Sequence, residues 1–231
     1  MTDLGRMAYA PALGVQRRTH KRVAEGVAAP TLLLVEHDPV ITISRRRHAA
    51  DHLRAAPLQL KRLGIAVHGT DRGGDITYHG PGQLVAYPII SLAAMQLSIG
   101  KYLRWLEQVV IDTVATFGVR AFRIKRFTGV WVEAPHGGKS GGPGRHAKLC
   151  AVGVRIERGV TLHGAAINVT TCLEHFRTIV PCGLADCRVT SLQQVLGDRT
   201  PTMQRVKQEL SAVVSDALRR AAVNPLAASA V

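Results

Sequence analysis

The sequence predicts an α+β domain in which helices pack on a mostly antiparallel or mixed sheet. Short apolar runs of strand type recur along the chain, and two of them flank Glu157-Arg-Gly159 as a hairpin. Segments with helical spacing of apolar residues alternate with these runs. No internal repeat or long linker divides the 231 residues. We therefore expect a single domain over residues 1–222, followed by an Ala-rich tail, 223–231, that is disordered.

The first half of the chain begins with a predicted helix and continues with short strands. The helix covers residues 11–28, and strands follow at Thr31–Val35 and from Pro39 to Ile43. Residues 57–63 predict a second helix that Gly64 ends, and Ile65–His68 predicts the next strand.

The second half has two long helices and the hairpin. Leu84–Ile90 predicts a strand that Pro88 makes irregular or places at an edge. A helix is expected over 98–117, with Ser98 as N-cap and Gly118 after its end. Further strands are expected at 121–124, 129–132, 147–156 and 160–169, the last two with alternating burial. The final helix is expected to begin with Thr200 as N-cap and Pro201 in its first turn, and to run to about Ala222.

The charge balance is strongly basic, with a formal net charge of +14 and a sequence pI near 10.5. Such a charge attracts polyanions. Only 4% of the residues are aromatic, and no basic helix or aromatic-studded strand of the kind that reads bases is present. Seven basic residues against one acid lie between Arg120 and Lys148. This stretch predicts a docking surface for an acidic protein partner, or a basic surface that serves solubility.

Other features narrow the class of protein. No apolar run approaches the ~20 residues that span a bilayer, so no membrane insertion is expected. The four cysteines form no CxxC pair, which argues against a zinc site or a disulfide framework and favours a reduced, cytoplasmic protein. The insertion His136–Arg145 contains Gly-Lys-Ser, but Glu133 stands where a phosphate-binding loop needs glycine. We expect a mobile surface loop there.

The segment Arg72–Gln83 reads Arg-Gly-Gly-Asp-Ile-Thr-Tyr-His-Gly-Pro-Gly-Gln. Its four glycines suit backbone that turns sharply or approaches a ligand closely, while Ile76, Thr77 and Tyr78 favour a strand. Polar and aromatic side chains stand beside that backbone. The order of residues predicts the floor of a small-molecule pocket rather than an ordinary hairpin.

Cys182 and Lys148 are the candidate chemical groups. Cys182 is flanked by Pro181 and Gly183, which predicts a bent backbone open to approach. Cys150 lies within an apolar strand, as expected of a buried thiol. A nucleophilic cysteine needs a nearby cation or base. Lys148 opens an otherwise apolar strand, although a lysine at such a place is also typical of a solvated strand end.

These segments together resemble the lipoyl(octanoyl) transferases. The resemblance covers roughly residues 10–215. Its motifs are Arg72–Gln83, Lys148–Gly153, Leu162–Val169 and Ile179–Gly183, supported by Glu36–Val40, Thr128–Trp131 and Val189–Leu192. Asp75 stands where the family more often has glutamine, and Ser44 replaces a common glycine.

The resemblance implies the fold of the biotin and lipoate protein ligase catalytic domains and assigns roles by motif. Cys182 matches the nucleophile that accepts the acyl group, and Lys148 matches the residue that lowers its pKa. The residues matched to substrate binding are Arg72, Gly73, Gly74, Asp75, Ile76, Thr77, Tyr78, His79, Ala151, Val152, Gly153, Gly164, Ala165 and Ala166. His79 is expected either to position the substrate or to make a structural hydrogen bond, and His163 and Asn168 are expected to hold the hairpin in shape.

The resemblance also implies the reaction and its partners. The family transfers an octanoyl group from octanoyl-acyl carrier protein to a lysine of its acceptors, in the first step of lipoate synthesis. The implied acceptors are the lipoyl domains of 2-oxoacid dehydrogenase complexes and the glycine cleavage H protein. A monomer that needs no metal, nucleotide or organic cofactor is expected, with no nucleic acid as partner. An ATP-dependent lipoate or octanoate ligase of the same fold is the alternative enzyme, and a basic nucleic-acid-binding module is the alternative of another class.

Overall fold

The computed structural model describes residues 1–134, 145–181 and 187–223, and it has the α+β architecture expected from the sequence. The described helices are α1 (Tyr9–Ala24), α2 (Pro57–Leu63), α3 (Ile99–Ala115), α4 (Leu192–Leu196) and α5 (Met203–Val223). The strands are β1 (Thr2–Met7), β2 (Thr31–His37), β3 (Val40–Ile43), β4 (Ala66–Gly69), β5 (Ile76–His79), β6 (Gln83–Ile89), β7 (Phe122–Ile124), β8 (Phe127–Glu133), β9 (His146–Glu157), β10 (Val160–Asn168) and β11 (Arg188–Val189). The expected loop over 137–144 and the tail beyond Val223 lie outside the described residues.

Two sheets organise the chain. The larger has the strand order β1-β2-β6-β10-β9-β8-β7, and β11 pairs with β9. Its pairs are antiparallel except β1 with β2 and β11 with β9. The smaller sheet has the order β4-β3-β5, parallel on one side of β3 and antiparallel on the other. The prediction of a mostly antiparallel, mixed sheet is confirmed.

Helices cover both faces of the larger sheet. Leu33 and Val35 of β2 belong to the core beneath α1, whereas Leu32 and Leu34 belong to the core beneath α3 and α5. All nine residues of β10, in the middle of this sheet, are buried. The alternating burial predicted for the hairpin strands is therefore wrong for β10, because an antiparallel strand alternates only where one of its faces is open to water.

Pro88 does not place its strand at an edge, since β6 lies between β2 and β10. The ladder between β6 and β10 runs only from Gln83 to Ala86, however. Beyond it the Thr161 hydroxyl donates to Pro88 O at 2.6 Å and accepts from Ile90 N at 2.9 Å. A side chain thus replaces the ladder where proline has no N–H to give. The prediction of an irregular strand is confirmed, and that of an edge is wrong.

Helix ends follow local chemistry, with one correction. Gly64 ends α2 with φ of 65°, and Ser98 Oγ accepts from Lys101 N at 3.3 Å to cap α3, both as predicted. The N-cap predicted at Thr200 is wrong. Thr202 Oγ1 accepts from Arg205 N at 3.2 Å and starts α5 instead, because Thr200 closes a preceding turn onto Gly197. No described helix is both long and apolar enough to cross a membrane.

Candidate active site

A cavity of about 260 Å³ lies where the smaller sheet meets β9 and β10 of the larger one. Most of the site residues predicted from the sequence line it. They are Arg72, Gly74, Asp75, Ile76, Thr77, His79, Lys148, Ala151, Val152, Gly153, Gly164, Ala165 and Ala166. The glycine-rich segment and the β9–β10 hairpin, which are far apart in sequence, therefore converge on one cavity.

The glycine-rich segment forms the floor because its backbone packs directly on β9. Gly73 N donates to Val154 O at 2.8 Å. A Cβ atom on Gly153 would lie 2.8 Å from Gly73 O, so the two backbones approach too closely for any side chain at 153. The guanidinium of Arg72 donates to Thr42 O at 2.8 Å and to Thr42 Oγ1 at 3.0 Å, which ties the floor to β3.

Two predicted site residues face away from the cavity. Gly73 makes the backbone contact with β9 and does not line the hollow. Tyr78 points into the core beneath the smaller sheet, where its hydroxyl lies 2.8 Å from His175 Nδ1. Burial raises the pKa of the Tyr78 phenol to about 12. Within β5, Tyr78 belongs to the core, Thr77 and His79 line the cavity, and Ile76 contributes to both.

Small side chains form one wall. Ala151, Val152 and Gly153 of β9 stand opposite Ala166, Ala165 and Gly164 of β10 in the antiparallel register. A Cβ atom on Gly164 would collide with Ala86 O of β6. Neighbouring backbone thus holds positions 153 and 164 to glycine, and the wall as a whole offers an apolar surface.

Lys148 reaches the cavity from β9 and is only 4% exposed. Its Nζ lies 4.6 Å from the centroid of the Trp131 ring, within the range of a cation–π contact. Gly129 passes beside it, since a Cβ there would lie 3.3 Å from Lys148 Cε. Lys148 is therefore a buried side chain of the site and not the solvated end of a strand.

Cys182 lies outside the described residues, but the chain on either side of it is anchored at the site. Before it, Val180 N donates to His52 O at 2.8 Å, and Ile179 bridges Leu53. After it, β11 pairs in parallel with β9, and Val189 stands opposite Lys148.

The other cysteines differ in exposure. Burial raises the pKa of the Cys150 thiol to about 12, which fits the prediction of a buried, unreactive thiol. Cys172 is exposed and Cys187 is half-buried.

His79 ends a chain of oriented hydrogen bonds. Asn168 Nδ2 donates to Thr190 O at 2.9 Å, so its Oδ1 accepts from Gln83 Nε2 at 2.9 Å. Gln83 Nε2 also donates to Tyr78 O, so Gln83 Oε1 accepts from His79 Nδ1 at 2.7 Å. This network assigns the proton to Nδ1 and leaves Nε2 as an acceptor. Burial lowers the pKa of His79 to about 3, so the ring is neutral at physiological pH.

His79 makes the predicted structural hydrogen bond, and it also lines the cavity. With no proton on Nε2, the ring cannot donate to a substrate carbonyl, but it can still accept a hydrogen bond there. Asn168 holds Gln83 to Thr190, and His163 Nε2 lies 2.8 Å from Asp71 Oδ1. Both side chains thus link β10 to its neighbours.

Sequence reasoning missed several residues of the cavity. They are Tyr9, Arg46, Val85, Tyr87, Arg126, Phe127, Thr128 and His163. For His163 the sequence predicted only a structural role. Thr128 belongs to the motif Thr128–Trp131, which was a usable signal. Tyr9 and Arg46 come from α1 and from the loop after β3, and nothing in their local sequence indicated the cavity.

The predicted basic docking surface needs two corrections, because neither Lys148, which is buried in the cavity, nor Arg123 belongs to it. Arg123 is half-buried, and its Nη2 donates to Arg104 O at 2.8 Å and to Gln108 Oε1 at 2.7 Å. Its Nε lies 3.3 Å from the fully buried carboxylate of Glu107. Arg123 therefore holds α3 to β7 and does not face a partner. Arg120, Lys125 and Arg126 are exposed.

The arrangement of sheets, helices and cavity places the chain in the fold of the lipoate and biotin protein ligases. A bi-partite lipoate protein ligase from Thermoplasma acidophilum, analysed with its E2 lipoyl domain, has a TM-score of 0.71 at 16% identity. That similarity covers 94% of this chain and 83% of the other. A biotin protein ligase from Aquifex aeolicus, in complex with biotin and ATP, has a TM-score of 0.54 at 14% identity, over 94% and 69% of the two chains. At such identities the likeness is one of fold.

Sequence comparison identifies the family. The model of the lipoyl protein ligase A/B catalytic domain matches residues 8–215. The octanoyltransferase of Acidobacterium capsulatum is 42% identical over 214 residues, which cover 89% of this chain and 84% of that protein. The chain belongs to the lipoyl protein ligase A/B catalytic domain family and, within it, to the octanoyltransferases. The resemblance predicted from the motifs is confirmed.

Proposed function

We propose that this protein transfers an octanoyl group from octanoyl-acyl carrier protein to a lysine of a lipoyl domain, as the first step of lipoate synthesis. The observation that carries the proposal is a buried lysine, Lys148, in a small-walled cavity of a chain 42% identical to an octanoyltransferase. The 2-oxoacid dehydrogenase lipoyl domains and the glycine cleavage H protein are the proposed acceptors. The enzyme is proposed to act as a cytoplasmic monomer and a single domain, without a cofactor.

Cys182 is the proposed nucleophile. Three anchors support this assignment. His52 holds Val180 through its carbonyl, and its ring contacts Asp75 on the cavity floor at 2.6 Å. On the other side Val189 pairs with Lys148 itself. These contacts of the flanking residues, one towards the cavity floor and one beside Lys148, support the assignment of Cys182.

The reaction proceeds in two acyl transfers. The Cys182 sulfur forms a bond to the thioester carbonyl, and the bond to the carrier's sulfur breaks, so the carrier leaves as a thiol. The acceptor lysine, after losing a proton, then attacks the acyl-enzyme, and the Cys182–acyl bond breaks as the amide forms. Lys148 either takes the Cys182 proton as a base or stays an ammonium beside the thiolate. His79 is too weakly basic for this role, since its pKa is about 3.

The wall of small residues is the proposed site for the octanoyl chain. Ala151–Gly153 and Gly164–Ala166 present apolar surface with little side-chain volume. Burial of each methylene contributes roughly 0.8 kcal/mol. Because Lys148 lies on the same strand as Ala151–Gly153 and lines the same cavity, the proposed orientation has the thioester towards the lysine.

The proposal is tested by intact-protein mass measurement after incubation with octanoyl-acyl carrier protein and no acceptor. We expect a single octanoyl adduct that hydroxylamine removes. The Cys182→Ala variant should lack the adduct, whereas the exposed thiol of Cys172 serves as a matched control, and Cys172→Ala should retain it. An adduct on another cysteine would refute the assignment. Transfer that requires ATP would identify the ligase alternative instead.

A further inference from the structure

Two arginines at the solvent-facing end of the cavity have no role in the proposed chemistry. Arg46 and Arg126 are both exposed and both line the cavity, so they lie at its mouth. They come from separate loops, one after β3 and one between β7 and β8. Within residues 1–134, 145–181 and 187–223, neither guanidinium has an ion pair with a carboxylate.

The backbone holds Arg46 against the cavity floor. The hydroxyl of Ser44 accepts from Arg46 N at 3.1 Å and donates to Gly74 O at 2.9 Å. Ser44 is thus a bridge between the loop after β3 and the glycine-rich segment. Because of this bridge, Arg46 starts from a fixed point beside the cavity, although its side chain is exposed.

A tight turn presents Arg126. Ile124 and Phe127 pair across a two-residue turn made of Lys125 and Arg126. Arg126 has φ of 72°, in the left-handed region that favours glycine or asparagine. The positive φ is a property of the two-residue hairpin turn, and it fixes the direction in which the Arg126 side chain leaves the backbone. The turn aims one arginine at the mouth and leaves its neighbour, Lys125, off the lining.

We propose that Arg46 and Arg126 form a phosphate subsite for the arm of the acyl donor. The inference rests on the proposed function, in which the donor carries its octanoyl group as a thioester of 4′-phosphopantetheine. The phosphate is the group of that arm that carries a formal charge. With the octanoyl chain on the small-residue wall and the thioester at Lys148, the arm leaves through the mouth. Guanidinium groups bind phosphate oxygens through paired N–H donors.

Two donors that differ by one phosphate test this subsite. We expect Arg46→Gln and Arg126→Gln each to raise KM roughly tenfold for octanoyl-4′-phosphopantetheine and for octanoyl-acyl carrier protein. The rise in KM for octanoyl-pantetheine, which lacks the phosphate, should be much smaller. Arg47→Gln and Lys125→Gln are matched controls, because they remove the same charge from the same two loops at exposed positions off the lining. These controls should leave all three donors close to wild type.

Three results would overturn the subsite. An equal rise in KM for octanoyl-pantetheine would mean that the arginines act on something other than phosphate. Equal losses in the control variants would reduce the effect to general surface charge. A loss with the carrier protein alone, and not with octanoyl-4′-phosphopantetheine, would assign the arginines to carboxylates of the carrier.

A binding measurement separates this inference from the proposed reaction. Calorimetry of the full chain should show that 4′-phosphopantetheine binds more tightly than pantetheine, and that Arg46→Gln and Arg126→Gln remove the difference. This result needs no turnover, so it stands even if the acyl transfer is absent. Equal affinity of the wild type for the two compounds would refute the subsite while leaving the acyl-enzyme test untouched.

Discussion

Acid should destabilise this protein at two buried histidines, His37 and His79. His37 Nδ1 donates to Met7 O at 3.1 Å, and its Nε2 accepts from the Tyr87 hydroxyl at 2.7 Å. Burial lowers the pKa of His37 to about 4. Burial, together with the nearby His37, lowers the pKa of His79 to about 3. Neither ring accepts a proton in the folded state near pH 6.

The sign and size of the effect follow from proton linkage. A histidine in the unfolded chain has a pKa of ~6.5, so below that pH the unfolded state binds protons that the folded state refuses. The free energy of unfolding therefore falls as pH drops from about 6.5 towards 4. Each histidine contributes roughly 1.4 kcal/mol per pH unit in that window, and the two together contribute roughly 2.7 kcal/mol per pH unit. Over this pH window, such a slope removes much of the ~5–15 kcal/mol by which a typical domain is stable.

Urea unfolding between pH 7 and pH 4 measures this slope. His37→Gln and His79→Gln should each make the slope about 1.4 kcal/mol per pH unit shallower. The comparison uses the slope of the free energy of unfolding against pH rather than its absolute value. The packing cost of each substitution is nearly the same at every pH, so it does not change the slope. If both variants keep the slope of the wild type, the two rings titrate normally and the argument from burial is wrong.

Two further substitutions test the surroundings of Lys148. Gly129→Ala should reduce the free energy of unfolding by about 2–4 kcal/mol in urea titrations. The reason is that φ there is 124° and the new Cβ would lie 2.7 Å from Cys150 O. Gly100→Ala is the control and should reduce the free energy of unfolding much less, because the space around its new Cβ is open. Lys148→Arg should slow the acylation of Cys182 nearly as much as Lys148→Ala, since arginine keeps the charge but cannot act as a base. Near-normal acylation rates in the arginine form would assign Lys148 an electrostatic role only.

Local chemistry explains which elements the sequence predicts well. Gly64 and Ser98 mark their helix ends correctly because a left-handed glycine and a capping hydroxyl act within one turn of the helix. Pro88 misleads because the ladder that it interrupts is replaced by the hydroxyl of Thr161, more than seventy positions away. The burial of β10 depends on α1 and α3, which are both far from it in sequence. The sequence of a strand does not indicate which distant helices will pack on it.

The same distinction applies to the cavity. The glycine-rich floor and the small wall could be predicted because each is a contiguous segment with an unusual composition. The rim could not, because Arg46 and Arg126 are ordinary surface residues in sequence and become neighbours of one cavity only through the fold. Arg123 shows the reverse error: it has the same charge and nearly the same position as Arg126, yet Glu107 holds it inside the protein.

Ser44 and Asp75 have a common structural consequence. Ser44 Oγ donates to Gly74 O, and the carboxylate of Asp75 accepts from Ile76 N at 2.8 Å while it contacts His52 Nδ1 at 2.6 Å. The loop between β3 and α2 is thereby fastened to the cavity floor at two successive residues.

That loop supports both ends of the proposed site. It carries Arg46 at the mouth, and through the carbonyl of His52 it holds Val180, just ahead of Cys182. His52 does not line the cavity, so a substitution of its ring should act on the segment that leads to Cys182 without removing a cavity-lining group.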